Sequence, residues 1–248
     1  MLPPFTSASH DGDLGCFVRN IILNSIFQKG QFIIPDIASQ TGFSVTTIAK
    51  YVSELYAEDI LEKGDCLKTN KRGRNPVLYR VKSETYYFLG VDLKPFELII
   101  GLMNLTGDMV CIERITDFRF ENTHNKLDEI CTHISQFMLK FQSQNAGKIA
   151  GVNFNIGGRV NSHLGATIFN FEETREVPLT LLLNERLGIP VFIENDTKAM
   201  AYGEYVSENN ASQENVIYVN IGWGLGLCII INGEIYYGKD GYSGEFGH

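Results

Sequence analysis

A run of basic side chains is the first candidate binding site in the sequence. Between residues 68 and 82 there are six lysines and arginines and no acidic residue: Lys68, Lys71, Arg72, Arg74, Arg80 and Lys82. The glycine and proline in residues 71–76 predict a turn between two short strands, which places Lys71, Arg72 and Arg74 at a loop tip. Such a tip suits contact with phosphates or insertion of arginine into a minor groove. An ordinary solvated loop is the alternative for this run taken alone.

A second candidate site begins where a short apolar segment, residues 190–194, gives way to Asn195 and Asp196. The pattern predicts a buried strand followed by a helix that runs to Tyr205. A carboxylate placed beside a hydroxyl can act as its general base. The plainer alternative is that Asn195 and Asp196 cap the helix.

The elements before the basic run predict a helix-turn-helix. A first helix covers residues 16–29, a second helix covers residues 35–40, and Thr41-Gly42-Phe43 forms a turn. Ser44 is a good N-cap for a third helix, on which Ile48, Val52 and Leu55 make one buried stripe. Thr46, Thr47 and Lys50 lie on the opposite face. With the strands around the basic tip, this predicts a winged helix whose third helix enters the major groove of DNA.

Charge divides the chain of 248 residues into two parts. Residues 1–83 carry 10 Lys and Arg against 8 Asp and Glu, whereas residues 84–248 carry 11 against 21. We therefore predict a DNA-binding domain over 1–83 and an acidic domain with another partner over 84–248. The sequence has no apolar window long enough to span a membrane and no export signal, so a cytoplasmic protein with reduced cysteines is expected.

The sequence of residues 84–248 predicts an α/β domain. Strands are expected over residues 86–102 and 109–115, a helix over 125–143, a strand over 149–156, and a helix over 179–187. Two further strands, over 216–221 and 226–231, flank a glycine-rich turn. Three strands, a helix and then alternating units fit an actin-like, ribonuclease-H-like lobe, which makes the whole chain α+β.

Three stretches of this part resemble the ROK family of repressors, uncharacterised proteins and sugar kinases. They are GVNFNIGGRVN (151–161), ENDTKAMAYGE (194–204) and NIGWGLGLCIIINGEIYYGKDGYSGEFGH (220–248), in family order behind the predicted winged helix. The resemblance implies that Asp196 matches the general base of the kinases. It also implies that Asn195, Glu245 and His248 hydrogen-bond sugar hydroxyls, and that operator DNA, a sugar or sugar phosphate and a second copy of the chain are partners.

The phosphate-handling segments depart from the family's kinases. Where the kinases have Gly-Gly-Thr after the strand aspartate, this chain has Lys94-Pro95-Phe96 after Asp92 and Leu93. Proline removes a backbone donor, and side chains in place of glycines block close approach of the backbone to phosphate. In the second loop Trp223 replaces a threonine. Because phosphoryl transfer depends on positioning and charge stabilisation, we predict a sensor without catalysis.

The family's zinc site combines the histidine matching His248 with cysteines that lie downstream. His248 is the last residue, and none of the five cysteines occupies such a place, so no cofactor is expected and His248 is a remnant of the site. Our interpretation is a shortened gene product or a proteolytic remnant, in which the strands over 216–236 expose apolar faces.

The favoured hypothesis is a sugar-responsive transcriptional regulator, most simply a repressor, that binds DNA as a homodimer. Two alternatives stay open. One is an ATP-dependent sugar kinase with an added DNA-binding module, and the other is a DNA-binding remnant that no longer senses sugar.

Overall fold

The computed structural model describes residues 14–66, 76–121, 124–167, 177–207, 214–222 and 224–246. The chain divides into two compact units. The first comprises Met1–Tyr87 with Met103–Val110 and Ala146–Ala150, and the second comprises Phe88–Leu102, Cys111–Asn145 and Gly151–His248. Two short segments from later in the chain, Met103–Val110 and Ala146–Ala150, therefore belong to the first unit. The division into domains at residue 83 stays a prediction.

Three helices and a small sheet make up most of the first unit. The helices are α1 (Leu14–Lys29), α2 (Ile34–Thr41) and α3 (Val45–Ala57); the strands are β1 (Gln31–Phe32), β2 (Leu61–Cys66) and β3 (Val77–Val81). The strands pair antiparallel in the order β1-β3-β2. The sequence predicted all three helices and both longer strands, but it missed β1. A two-residue strand has no periodicity of its own and exists only because β3 pairs with it.

Local signals in the sequence account for the ends of α2 and α3. Gly42 follows α2 with φ 75°, the left-handed conformation of a helix C-cap. Ser44 caps α3, because its hydroxyl oxygen accepts a hydrogen bond from the Thr47 N–H at 3.1 Å. The predicted stripe of Ile48, Val52 and Leu55 is fully buried, as expected for the core-facing side of α3.

The rest of the chain combines runs of strands with single helices. Its elements are β4 (Tyr86–Lys94), β5 (Glu97–Asn104), β6 (Met109–Ile115), α4 (His124–Gln142), β7 (Lys148–Ile156), β8 (Val160–Asn161), β9 (Ala166–Thr167), α5 (Leu179–Leu187), β10 (Val191–Asn195), α6 (Asp196–Ser207), β11 (Val216–Ile221), β12 (Leu225–Ile231) and β13 (Glu234–Ile235). Five of the strands form one sheet in the order β10-β7-β4-β5-β6. The sequence did not predict β8, β9 or β13, each of which has two residues.

The apolar face predicted for α4 is confirmed. All six of its predicted apolar residues are buried: Leu127, Ile130, Ile134, Phe137, Met138 and Phe141. In the sheet, β10 runs parallel to β7, with Asn195 opposite Ile156 at the ends of the two strands. The carboxyl ends of β7 and β10 therefore lie at one edge of the sheet, which is where ligands bind in open α/β sheets.

A smaller antiparallel sheet, β11-β12-β13, packs one face on α6. Its other face exposes Ile217 (63%), Val219 (55%) and Ile221 (83%), which confirms the expectation of an exposed apolar face on these strands. Within the ranges given above, no helix combines the length and the apolar character that crossing a bilayer requires.

Candidate functional site

Asn195 and Asp196 lie where β10 ends and α6 begins. The Asn195 side chain is buried, and its Nδ2 donates to the Gly158 carbonyl at 3.0 Å. Its Oδ1 accepts from the Lys198 N–H at 3.1 Å, while Oδ1 of Asp196 accepts from the Thr197 N–H at 2.6 Å. Asn195 therefore caps α6, as the plainer alternative had it. These two bonds do not use the second Nδ2 hydrogen or the second Oδ1 lone pair of the amide. The hydrogen bond from Asn195 to a sugar stays a prediction.

Asp92, near the end of β4, lies within electrostatic reach of Asp196. Burial is the main cause that raises the pKa of the Asp92 carboxyl, and the negative charge of Asp196 raises it further. The ammonium of Lys94 opposes both effects, since its Nζ lies 3.4 Å from Oδ2 of Asp92. Gly157 borders the same place: a Cβ on it would lie 3.4 Å from Oδ2 of Asp196. The carboxylates of Asp92 and Asp196 and the ammonium of Lys94 thus lie at this edge of the sheet.

The end of β4 and the segment that follows it carry side chains and internal hydrogen bonds. A phosphate bound there would need exposed backbone N–H groups. Lys94 pairs with Asp92, and the Pro95 carbonyl accepts from the Phe120 N–H at 2.8 Å. The Phe96 ring lies 5.7 Å from the Arg119 guanidinium. That this segment does not cradle ATP phosphates stays a prediction.

One glycine of the second loop has a packing reason to be there. A Cβ on Gly226 would lie 2.1 Å from Oγ1 of Thr197 on α6, so the close approach of β12 to the helix requires glycine. Packing therefore explains why residue 226 is a glycine, and its presence is no evidence for nucleotide binding. Trp223, the other notable residue of the loop, lies outside the described residues.

Glu245 is partly buried, and its charge acts on the ammonium of Lys198, which places it within electrostatic reach of α6. The structure thereby brings Glu245 near the helix that begins with Asp196. His248 lies outside the described residues, so its predicted contact with sugar stays a prediction. Among the residues that the structure describes, no group of three or more His, Cys, Asp or Glu side chains could hold a metal ion.

Three polar residues near the site were not predicted: Glu194, Lys198 and Tyr237. The Tyr237 hydroxyl donates to Oε2 of Glu194 at 2.8 Å, and Oε1 of Glu194 accepts from the Asn195 N–H at 2.8 Å. Burial and the hydrogen bond to Glu194 raise the pKa of the Tyr237 phenol. A signal for Lys198 was present in the sequence. It precedes the buried Ala201 by three residues, so it lies on the core-facing side of α6.

The predicted DNA-reading residues lie on the first turns of α3. Thr46 and Lys50 are exposed and Thr47 is partly buried. The hydroxyl oxygens of both threonines lie near Oγ of Ser44, at 2.7 and 2.8 Å, so the three side chains form one hydrogen-bonded cluster. Nζ of Lys50 lies 4.0 Å from Oε1 of Glu54, at the limit of an ion pair.

Parts of the basic run are paired within the protein. Arg80 pairs with Glu62 and Lys82 with Asp59. The hydrogen bond to Asp59 is the main cause that raises the pKa of Lys82. Lys71, Arg72 and Arg74, the predicted tip, lie outside the described residues.

Comparison with known proteins places the chain in a family. The model of the ROK family matches residues 88–248, so the chain belongs to the ROK family. It is 26% identical over 231 residues to the xylose repressor of Bacillus subtilis (strain 168), covering 93% of this chain and 59% of the repressor. It is 36% identical over 162 residues to the glucokinase of Streptomyces coelicolor, covering 64% of this chain and 48% of the kinase.

A crystal structure of a ROK family transcriptional regulator, a homolog of the E. coli MLC protein, has the same fold. It matches with a TM-score of 0.76 and 23% identity over 93% of this chain and 59% of that chain. The chain therefore has the mixed α/β fold of ROK regulators. It spans about three fifths of the length of the repressor and the regulator.

Proposed function

We propose that the chain is a sugar-responsive, DNA-binding transcriptional regulator, with a winged helix-turn-helix over residues 1–83 and a sugar-binding ROK domain over 84–248. One observation carries this proposal. The match to the xylose repressor covers 93% of the chain, whereas the match to the glucokinase covers 64% of it. The match to the repressor therefore extends over nearly the whole chain, and the match to the kinase over about two thirds of it.

The architecture of the first unit supports DNA binding. Helices α2 and α3 are joined by a short turn at Gly42, and β2 and β3 form an antiparallel pair behind them. The first two turns of α3 present Thr46 and Lys50 to solvent, as the reading helix of a helix-turn-helix presents its side chains to base edges. The predicted basic tip between β2 and β3 would add phosphate or minor-groove contacts.

The edge of the large sheet supports sugar binding without phosphoryl transfer. This edge holds Asn195 and Asp196, and Glu245 lies within electrostatic reach of α6. The arrangement agrees with an actin-like lobe that has a sugar site. The Asp92–Lys94 pair and the Phe96 side chain occupy the segment that kinases of the family use for phosphate. A sugar that binds one conformation better than another would then change DNA affinity, in a homodimer that reads a two-fold operator.

Binding to DNA from the chain's own upstream region tests the proposal. Fluorescence anisotropy at low salt would measure DNA affinity alone and with D-xylose, D-glucose, N-acetylglucosamine or D-glucose 6-phosphate. We expect tighter binding to this DNA than to a scrambled duplex, and at least one sugar that changes the affinity. No binding preference for the upstream DNA would overturn the regulator. Preferential binding that no sugar changes would favour the constitutive DNA-binding alternative.

A sugar kinase is the second candidate, because the glucokinase of Streptomyces coelicolor is 36% identical in the matched region and Asp196 is in place. This candidate predicts ADP release from ATP in the presence of glucose, and loss of that turnover in Asp196→Asn. Our proposal predicts no turnover above a blank without protein. A wild-type rate that Asp196→Asn abolishes would establish the kinase.

A further inference from the structure

Lys198 is a charged residue in the core of the second unit. It is the third residue of α6, and only 2% of its surface is exposed. Its ammonium donates a hydrogen bond to the Gly241 carbonyl, 43 residues further along the chain. The same ammonium lies 5.4 Å from the centroid of the Tyr237 ring. A buried lysine needs such partners, because water no longer solvates its charge.

The partners of Lys198 belong to a segment that is anchored at several points. Tyr237 hydrogen-bonds Glu194, the last residue but one of β10. Nδ2 of Asn161, from β8, donates to the Asp240 carbonyl at 3.0 Å. Residues 237–241 are therefore held by β8, by the end of β10 and by α6, and Glu245 follows four residues later.

Opposite charges also surround the ammonium. Burial lowers the pKa of Lys198, while the carboxylates of Glu194 and Glu245 and the thiol of Cys228 act in the other direction. Of these two glutamates, Glu245 is a predicted sugar ligand, and Glu194 directly precedes another predicted ligand, Asn195. Lys198 itself is occupied by protein groups.

We propose that Lys198 is a positioning residue of the sugar site. Through Gly241 it ties the segment that carries Glu245 to the helix that begins with Asp196. Asp196 and Glu245, the two ends of the proposed site, are about fifty residues apart in the sequence. The ammonium of Lys198 connects their segments through its hydrogen bond to Gly241. The inference rests on the proposed function, because it assigns a role within the same sugar site.

Lys198→Met tests the proposal, since methionine keeps much of the length and removes the charge and the donor. Calorimetric titration would measure the affinity of wild type and variant for the same four sugars. We expect the tightest-binding sugar to bind roughly tenfold or more weakly to the variant, the scale of one hydrogen bond to a charged group. DNA affinity without sugar should not change.

Lys126→Met is the matched control. Nζ of Lys126 lies 2.6 Å from Oε2 of Glu129 and 5.0 Å from the centroid of the Phe118 ring, and its side chain is 11% exposed. This variant also loses an ion pair and a contact with an aromatic ring, but its partners are Glu129 of α4 and Phe118, neither of which belongs to the junction of β10 and α6. We expect its sugar affinity to equal that of wild type. A Lys126→Met loss as large as that of Lys198→Met would overturn the proposal.

A double-mutant cycle with Glu245→Gln separates positioning from general structural damage. If Lys198 acts through Glu245, Lys198→Met should weaken sugar binding in wild type and change it little in the Glu245→Gln background. Losses that simply add overturn the proposal, as does a Lys198→Met variant with the affinity of wild type. If the methionine variant does not unfold cooperatively, Lys198→Leu, which also removes the donor for Gly241, replaces it in the cycle. A wild type that binds none of the four sugars overturns the sugar-sensing function itself, together with this inference.

Discussion

Gly244→Ala is expected to destabilise the second unit because of one close contact. Gly244 has φ 85°, and a Cβ on it would lie 1.9 Å from the Leu227 carbonyl oxygen. Backbone must therefore move to make room. Gly158 is the matched control in the same unit, since it has φ 87° and nothing within 4 Å of its Cβ position.

The two substitutions share every contribution except that contact. Left-handed backbone costs a non-glycine residue about 1–2 kcal/mol at either position. Alanine also reduces the entropy of the unfolded chain by an equal amount in both variants, a gain of about 0.4–1 kcal/mol. Forcing a methyl group into occupied space costs a further 1–3 kcal/mol or so, and only Gly244→Ala incurs that cost. We therefore expect Gly244→Ala to be less stable than Gly158→Ala by about 1–3 kcal/mol.

Urea-induced unfolding followed by circular dichroism measures this difference. The free energy of unfolding is extrapolated to water for wild type and both variants, with the slopes compared to check that the unfolding reaction is the same. A difference between the variants below about 0.5 kcal/mol, the range of neutral surface substitutions, would refute the close approach of residues 244 and 227.

Three further predictions concern α3, the basic tip and the sheet edge. Ser44→Ala should lower the free energy of unfolding of the first unit by about 1 kcal/mol in urea titrations, because the Thr47 N–H loses its partner; an unchanged value would contradict the cap. Arg72→Ala combined with Arg74→Ala should weaken binding to all DNA sequences and flatten its salt dependence in anisotropy titrations, and unchanged binding would exclude a phosphate-contacting tip. Asp92→Asn should stabilise the fold at pH 7 and have less effect near pH 4, since the pKa of Asp92 is raised in the folded state and its contribution to stability falls as pH rises through that pKa. An equal effect in urea titrations at both pH values would contradict the burial of this carboxylate.

Elements with local signals could be predicted from the sequence. The N-cap at Ser44 and the stripe of Ile48, Val52 and Leu55 depend on residues within a few turns of each other, and the structure has both. The face of α4 was equally predictable, because its apolar residues recur with helical spacing through a helix of nineteen residues. The short strands β1, β8, β9 and β13 were not, since two residues show no period and their pairing comes from other segments.

The candidate site divides in the same way. The motif around Asn195 and Asp196 was recognisable by residue type. The junction of β10 and α6 was predictable because an apolar run, residues 190–194, is followed by a residue that can cap a helix. What the Asn195 side chain contacts was not readable, because its partner Gly158 is 37 residues away in the sequence. The spacing of Lys198 from Ala201 was readable, but its partner Gly241 was not, because Gly241 is 43 residues further along the chain.

The sequence by itself determined the order of helices and longer strands, the motifs of the ROK family and the loss of glycines after Asp92. The tertiary structure alone decided which charges are available to a ligand. Arg80 and Lys82 are paired with acids of the first unit, and Lys198 is enclosed within the second. The physical reason is that electrostatic interactions depend on distance and on exclusion of water, neither of which is a property of spacing along the chain.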